Sequence, residues 1–474
     1  MSSLPPTEIT LPTRGGLWGW FGPDPPAAVR VTNPDEVAEG YRRGQMKVLV
    51  WATLGYALFY FVRKNLSIAM PVMGKELGIG KDQLGLFLTL HGLIYGASKF
   101  ANGFIGDRAN ARTFMATGLL LSALANVVFG LSSAVIVFGI VWMLNGWFQG
   151  MGFPPCARLL THWFPPKQLA TKMAIWNSSH SIGAMTILVM CGYLAGYSWR
   201  LCFFVPAAMA IVCAVVLFLT LPDTPAAVGL PDVAGTRLAD DHRPTDDLTD
   251  DAQSPEAFRS FLRRHVFGNP HIWILSLANF FVYTMRYAVL DWGPTLLEET
   301  RGIKLSTAGW MLGAFEASGV LGGLAAGWVT DKFFGGRGAR VSVFWMFGCM
   351  GAILLLWRYP GKSVAPYTVI LCLAGFFIYG PQALIGISVA NLATKRAAAT
   401  AIGLTGVFGY ASTVLSGWGL GLLVQKYGWD RGFLAMFVVG ILGTITFIVA
   451  WNAKAHGYAT DDEPPKRGFE VIRT

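Results

Sequence analysis

Two arginines stand where a bilayer makes them expensive. Arg63 lies in the run Phe59-Tyr60-Phe61-Val62-Arg63-Lys64-Asn65, eight residues before Pro71. Arg286 lies in Phe281-Val282-Tyr283-Thr284-Met285-Arg286, eight residues before Pro294. An ionisable side chain at the centre of a membrane helix costs at least ~2.5–3.5 kcal/mol, so such residues call for a functional explanation. Guanidinium stays charged and presents a planar fork that matches phosphate oxygens. Two forks at corresponding places in a repeated structure would make a phosphate clamp. A capping or snorkelling role for each arginine would leave their matched spacing unexplained. Tyr60 and Tyr283 each precede a clamp arginine by three residues and so share its helical face.

The elements that must carry these arginines are apolar. Of 474 residues, 53% are hydrophobic and 14% charged, against roughly 25% charged in soluble domains. A membrane-spanning helix needs about 20 apolar residues. Twelve such runs are visible, near 47–71, 83–105, 113–133, 135–160, 170–195, 201–221, 271–295, 307–330, 341–358, 366–391, 400–425 and 431–452. The fold expected is an all-α membrane protein of twelve helices in two six-helix halves, 47–221 and 269–453. A polar linker, 222–268, joins them, and polar tails, 1–46 and 454–474, flank them. The amino-terminal tail carries Pro5-Pro6 and Pro25-Pro26, reads as disordered and shows no secretory signal.

The halves repeat one another. Gly103-Phe-Ile-Gly-Asp107-Arg108 is matched by Gly327-Trp-Val-Thr-Asp331-Lys332, and Tyr197-Ser-Trp199-Arg200 by Tyr427-Gly-Trp429-Asp430-Arg431. Phe148-Gln-Gly-Met-Gly-Phe-Pro-Pro155 is echoed by Phe377-Ile-Tyr-Gly-Pro381. Parallel repeats related by an axis along the membrane normal imply alternating access, with cargo held between the halves near the midplane. The repeat makes Arg63 and Arg286, 223 positions apart, symmetry mates.

The net charge of +10 does not call for nucleic acid. Basic residues fall before the first helix (Arg42, Arg43, Lys47) and in every other connection, among them Arg108, Arg112, Lys167, Lys172, Arg259, Arg263, Arg264, Lys332, Lys395 and Arg396. This is the positive-inside pattern, with both termini cytosolic in the plasma membrane. The six cysteines lie in apolar segments without metal-ligand spacing and read as buried thiols. Paired acids, a nucleophile triad and a Gly-rich phosphate loop are all absent from the sequence, so neither an enzyme nor an ATP-driven pump is expected.

From Tyr41 to Trp451 the chain resembles the organophosphate:phosphate antiporters, which include glycerol-3-phosphate and hexose-phosphate transporters and a sugar-phosphate sensor. The stretches that carry the resemblance are GYALFYFVRKN, YGASKF with GDRANAR, WFQGMGFPPC, IWNSSHSIG, FFVYTMRYAVLDWGPT and YGPQALIG. The resemblance implies that Arg63 and Arg286 bind phosphate and that Lys99, His180, Asn177, Tyr56, Tyr60, Tyr283, Tyr379 and Tyr410 belong to the site. It also implies interdomain salt bridges at Lys64, Asp291 and Glu316, where two acids could offset one lysine. The bland alternatives are that Lys99 snorkels, that His180 is a satisfied core histidine, and that the tyrosines pack. His91 belongs to no pattern of the family. The hexose-phosphate transporters carry an Asp and a Lys on helix 11 where Ile402 and Thr405 stand here, so a hexose phosphate bound through that pair is not expected.

The function these readings imply is exchange of a small organophosphate, glycerol-3-phosphate or a sugar phosphate, for inorganic phosphate. The partners expected are those two ligands and membrane lipid, with no nucleic acid, no cofactor, no metal and no second subunit required. The alternative is a transporter-like receptor that senses a sugar phosphate for a signalling kinase.

Overall fold

Helix boundaries follow local signals. In the computed structural model, which describes residues 21–231 and 255–453 apart from 29, 107, 108 and 362, the first helix starts at a capping side chain. Asn33 accepts a hydrogen bond from the Asp35 N–H at 3.1 Å, and Pro34, Asp35 and Glu36 fill the first turn. This is the arrangement that satisfies orphan amides and suits the helix dipole. The helix, α1, runs Pro34–Leu77 and closes on Gly78, whose φ of 66° is the left-handed conformation glycine adopts without penalty. The helix therefore starts 13 residues before the apolar run that announced it.

The remaining long helices are α2 Lys81–Gly106, α3 Ala111–Leu131, α4 Val135–Trp163, α5 Pro166–Leu194 and α6 Leu201–Thr220 in the amino-terminal half. The other half contains α7 Pro270–Arg301, α8 Leu305–Phe334, α9 Gly338–Arg358, α10 Val364–Leu392, α11 Thr400–Tyr427 and α12 Trp429–Val449. Eleven are long and apolar enough to cross a membrane. The exception is α5, which has 29 residues but carries Asn177, Ser178, Ser179, His180 and Ser181 in succession. Its polarity marks it as a wall of the interior.

The tail expected to be disordered is, from Phe21 on, part of the fold. Ala27 and Val31 donate backbone hydrogen bonds to Ala226 (2.9 Å) and Gly229 (2.8 Å), and Asp24 pairs with Arg112 at 2.9 Å. Buried Asp223 binds Arg158 and the Ala111 amide at the start of α3, both at 2.9 Å. The first linker residues are thereby fastened to the amino-terminal half. Residues 1–20, the acidic centre of the linker (232–254), the carboxyl-terminal tail from 454 and the Asp107-Arg108 part of the repeated loop motif lie outside the described residues.

Along one side of the two arginines the halves are sealed together. Gly192 of α5 and Gly309 of α8 let the backbones meet: a Cβ on Gly309 would lie 2.4 Å from the Leu188 carbonyl oxygen, and one on Gly192 2.6 Å from that of Leu305. Between α2 and α11, a π-turn at Val414–Gly419 disturbs the helical ladder. Thr89 of the opposite half serves it, its hydroxyl donating to the Thr413 carbonyl (2.7 Å) and accepting from the Trp418 amide (2.9 Å). Two outer ion pairs, Lys75–Glu298 (2.5 Å) and Lys81–Glu299 (3.0 Å), also join the halves. All these bonds lie where α1 ends and α2 begins. At the opposite end Asn177 of α5 is exposed and Lys99 of α2 is half-buried, so the interior opens toward the face from which α1 starts.

Candidate functional site

The amino-terminal arginine is held by rings. The guanidinium carbon of Arg63 lies 4.0 Å from the centre of the Tyr60 ring and 4.8 Å from that of Tyr95, a cation–π arrangement that stabilises charge without cancelling it. No acidic side chain pairs with Arg63 among the described residues, and its Nε is buried without a hydrogen-bond partner. Lys99, one helical turn beyond Tyr95 on α2, is also without an acid among the described residues; its Nζ lies 4.7 Å from the Phe153 ring and 5.8 Å from that of Tyr410. The ammonium is therefore directed at aromatic groups of the interior.

The carboxyl-terminal arginine is neutralised. Nη2 of Arg286 donates to the Tyr379 hydroxyl at 2.5 Å and pairs with Glu316 Oε1 at 3.4 Å. Its guanidinium also lies 4.3 Å from the Tyr379 ring. Glu316 is 1% exposed and keeps Oε2 unbonded. This corrects the sequence-based expectation for Glu316: it does not offset Lys64 across the interface but stays within its own half, α8 against α7. The inter-half pair is Lys64–Asp291, at 2.8 Å with both side chains nearly buried. Tyr287 covers it, its ring 5.0 Å from Lys64 Nζ. One lysine is matched by one acid, and the second acid is left for Arg286.

Aromatic rings run from the neighbour of Arg63 into the other half. Tyr95 meets Tyr410 edge-on at 4.8 Å, Tyr410 meets Tyr283 at 6.4 Å, and Tyr283 meets Tyr287 at 5.4 Å. On the other wall, the His180 ring lies 5.7 Å from Tyr60. Its Nδ1 bonds the Asn177 carbonyl, which places the proton on Nδ1 because a carbonyl can only accept; Nε2 faces Ser181 Oγ at 3.3 Å. Asn177 itself is exposed. Tyr56 stands behind Tyr60, buried between it (5.7 Å) and Trp176 (4.9 Å).

Arg63, Lys99, Tyr60, His180, Tyr410 and Tyr283 thus form one connected group, and Arg286 with Tyr379 and Glu316 forms another beside it. Two residues escaped the sequence reading. Tyr95 precedes Lys99 by four residues and so shares its face, a signal that was present. Tyr287 follows Tyr283 by four in the same way. His91 is a buried neighbour rather than a lining residue: its Nδ1 bonds the Trp142 carbonyl at 3.1 Å, and its ring lies parallel to Tyr95 at 6.4 Å.

The family model of the Major Facilitator Superfamily matches residues 52–417, spanning both halves and every residue of this group. The chain belongs to the major facilitator superfamily. Within it, the resemblance to the organophosphate:phosphate antiporters holds along almost the whole chain. A probable hexose phosphate transport protein of Chlamydia muridarum is 37% identical over 92% of this chain and 97% of its own. The glycerol-3-phosphate transporter of Bacillus subtilis is 37% identical over 87% and 93%. The membrane sensor protein UhpC of Salmonella typhimurium is 36% identical over 91% and 97%. Among solved structures, a bacterial homologue of the human lysosomal transporter Spinster, inward-facing and occupied, shares the fold with a TM-score of 0.70 at 16% identity, over 88% of this chain and 99% of that one. This superfamily member is therefore a multi-pass membrane protein whose named relatives are carriers and a sensor, with a cationic, tyrosine-lined group between its halves.

Proposed function

We propose that this protein is a secondary active transporter that exchanges a small organophosphate, glycerol-3-phosphate or a sugar phosphate, for inorganic phosphate by alternating access. The observation that carries the reading is the charge balance of the site. Arg286 and Lys64 are cancelled by Glu316 and Asp291, whereas Arg63 and Lys99 are left with aromatic neighbours. Two uncompensated cations suit an anion with about two charges, and both belong to the amino-terminal half.

In this reading phosphate is met first by the Arg63 fork and Lys99. It then draws Arg286 from Glu316, whose 3.4 Å contact is long for a charge-assisted bond. Engaging both arginines links the halves through the anion and favours closure of the open side. The empty carrier has two cations and no bridge, so it reorients slowly, and that couples inward movement of one phosphate compound to outward movement of another. His180, Asn177 and the tyrosines orient the organic end. The distribution of basic loops supports an open face in the cytosol, and we take the membrane to be the plasma membrane; one chain supplies both walls of the site, so a monomer suffices.

Reconstituted vesicles test the exchange. Uptake of radiolabelled glycerol-3-phosphate should be many times faster into vesicles preloaded with phosphate than into empty ones; equal rates would sink the antiport reading. The similarity to a membrane sensor protein supports a second reading, a receptor for the same ligands. Saturable binding of a sugar phosphate by a folded protein that exchanges nothing would select it.

A further inference from the structure

The two halves finish their cores differently at the sealed face. In the amino-terminal half, Phe129 stacks on Phe203 and on Phe138, both at 4.4 Å, and all three rings are fully buried. Arg200 closes the space above them, donating to the carbonyls of Gly130 (2.6 Å) and Ser132 (2.8 Å) at the end of α3 and to Ser133 Oγ (2.8 Å). The internal repeat puts Trp429, Asp430 or Arg431, and Phe433 where Trp199, Arg200 and Phe203 stand. There the plug is missing. Phe433 lies flat against Trp357 (6.0 Å, 10°), and Arg431 is exposed instead of capping α9.

A cavity of about 150 Å³ remains between α7, α9, α10 and α12. In an apolar engineered core, a space of about that size holds a benzene-sized ligand. It continues into a narrow apolar slot lined by Met285, Trp292 and Met436, and shares Leu297, Leu356 and Phe433 with it. Two opposite charges stand on the cavity wall. Arg301, at the end of α7, lies over the Tyr367 ring at 4.9 Å and pairs with no acid among the described residues. Asp430, at the start of α12, accepts through Oδ1 from Trp357 Nε1 at 2.7 Å, and its Oδ2 has no partner among the described residues. Trp357, Trp429 and Tyr367 frame the charges at the helix ends, as aromatic side chains do at a bilayer interface.

We propose that this crevice binds a zwitterionic aminophospholipid, such as phosphatidylethanolamine, from the leaflet at the sealed face. A cation and a carboxylate that do not pair with each other are complementary to a phosphate and an ammonium on one headgroup. The lipid phosphate meets the Arg301 guanidinium, the ammonium meets the second oxygen of Asp430, and one acyl chain lies along the mouth of the slot beside Met285 and Met436, a methylene or two entering its 50 Å³. The lipid supplies the plug that aromatic rings supply in the other half. The inference does not depend on which cargo the central site carries.

The full-length protein, reconstituted in nanodiscs of equal phosphatidylethanolamine and phosphatidylglycerol, extracted in mild detergent and analysed by native mass spectrometry, tests it. Wild type should retain one phosphatidylethanolamine in preference to phosphatidylglycerol. Arg301→Ala should reduce retention of both lipids about tenfold, the consequence of losing a charge-assisted contact to phosphate. Asp430→Asn should keep the phosphate contact but erase the preference between the two headgroups. Leu297→Trp, which fills the cavity, should exclude both lipids while the melting temperature holds or rises. Retention in the bulk ratio by wild type, or retention unchanged in Arg301→Ala and Leu297→Trp, would overturn the proposal. Melting curves of each variant identify any that fails to fold, in which case the surface change Asp430→Asn decides.

Discussion

Arg63 and Arg286 occupy equivalent places in the two halves, yet among the described residues only Arg286 is paired with an acid. Arg63 is supported by the faces of Tyr60 and Tyr95. Arg286 is bonded to Tyr379 and paired with a carboxylate that is 1% exposed. A pair of arginines matched in sequence has thus become a standing positive site on one side of the cavity and a latent one on the other. Under the proposed exchange, the difference would give the cycle an order: the anion would be met by the charge without an acid, and the second charge released to it only as Glu316 lets go.

The largest effect expected is on the free charge. Arg63→Lys keeps the charge but loses the fork and the stacking geometry, so phosphate exchange should fall about 100-fold or more, in line with ~3 kcal/mol for hydrogen bonds to a charged group. The melting temperature should barely move, because no acid is orphaned. Arg286→Ala should differ in kind. It leaves Glu316 buried and unpaired, which typically costs about 3–5 kcal/mol, so both exchange and thermal stability should drop; an unchanged melting temperature would mean that the pair is not intact in the folded protein.

Smaller changes sharpen the comparison. Glu316→Gln frees Arg286 without emptying its surroundings. Phosphate should bind roughly tenfold more tightly, about 1.4 kcal/mol, while turnover slows because release now competes with two free arginines; equilibrium binding and exchange rates measured on one preparation separate the two. Asp291→Asn leaves Lys64 without its inter-half partner. It should loosen the sealed side, seen as a longer mean distance between spin labels placed on the ends of α1 and α7, with exchange reduced rather than abolished. The outermost pair, Lys75–Glu298, has a lysine side chain 65% exposed. Its removal by Lys75→Ala should shift the same distance distribution least, consistent with ~0–1 kcal/mol for exposed ion pairs.

Much of this arrangement was legible before any coordinates. Charges in apolar runs are conspicuous, and the 63–286 spacing together with the repeated Tyr-x-Trp motif announced two halves and a site between them. Pairing was not legible. Which acid meets Arg286 and which meets Lys64 depends on how α7 and α8 are rotated against each other, and a list of buried charges leaves that rotation open; for this reason the sequence points Glu316 at Lys64, whereas it meets Arg286. Tyr95 is legible in its i, i+4 relation to Lys99, though a tyrosine in an apolar run stands out less than the charge beside it. The start of α1 was signalled only by Asn33-Pro34-Asp35-Glu36, a capping pattern easily lost in a polar, proline-containing tail. The packing of Ala27 and Val31 on the early linker is a long-range contact between short proline- and alanine-containing segments, too short for hydrophobic periodicity to announce.

In the proposed cycle the amino-terminal half holds the phosphate through Arg63. Exchange of radiolabelled phosphate across vesicles loaded with unlabelled phosphate, with wild type and Arg63→Lys at equal reconstituted amounts, tests it most directly. Rapid exchange by wild type and none above protein-free vesicles for a folded Arg63→Lys is the predicted result. Wild-type exchange retained by Arg63→Lys would contradict it and move the anion to the Arg286 side of the cavity.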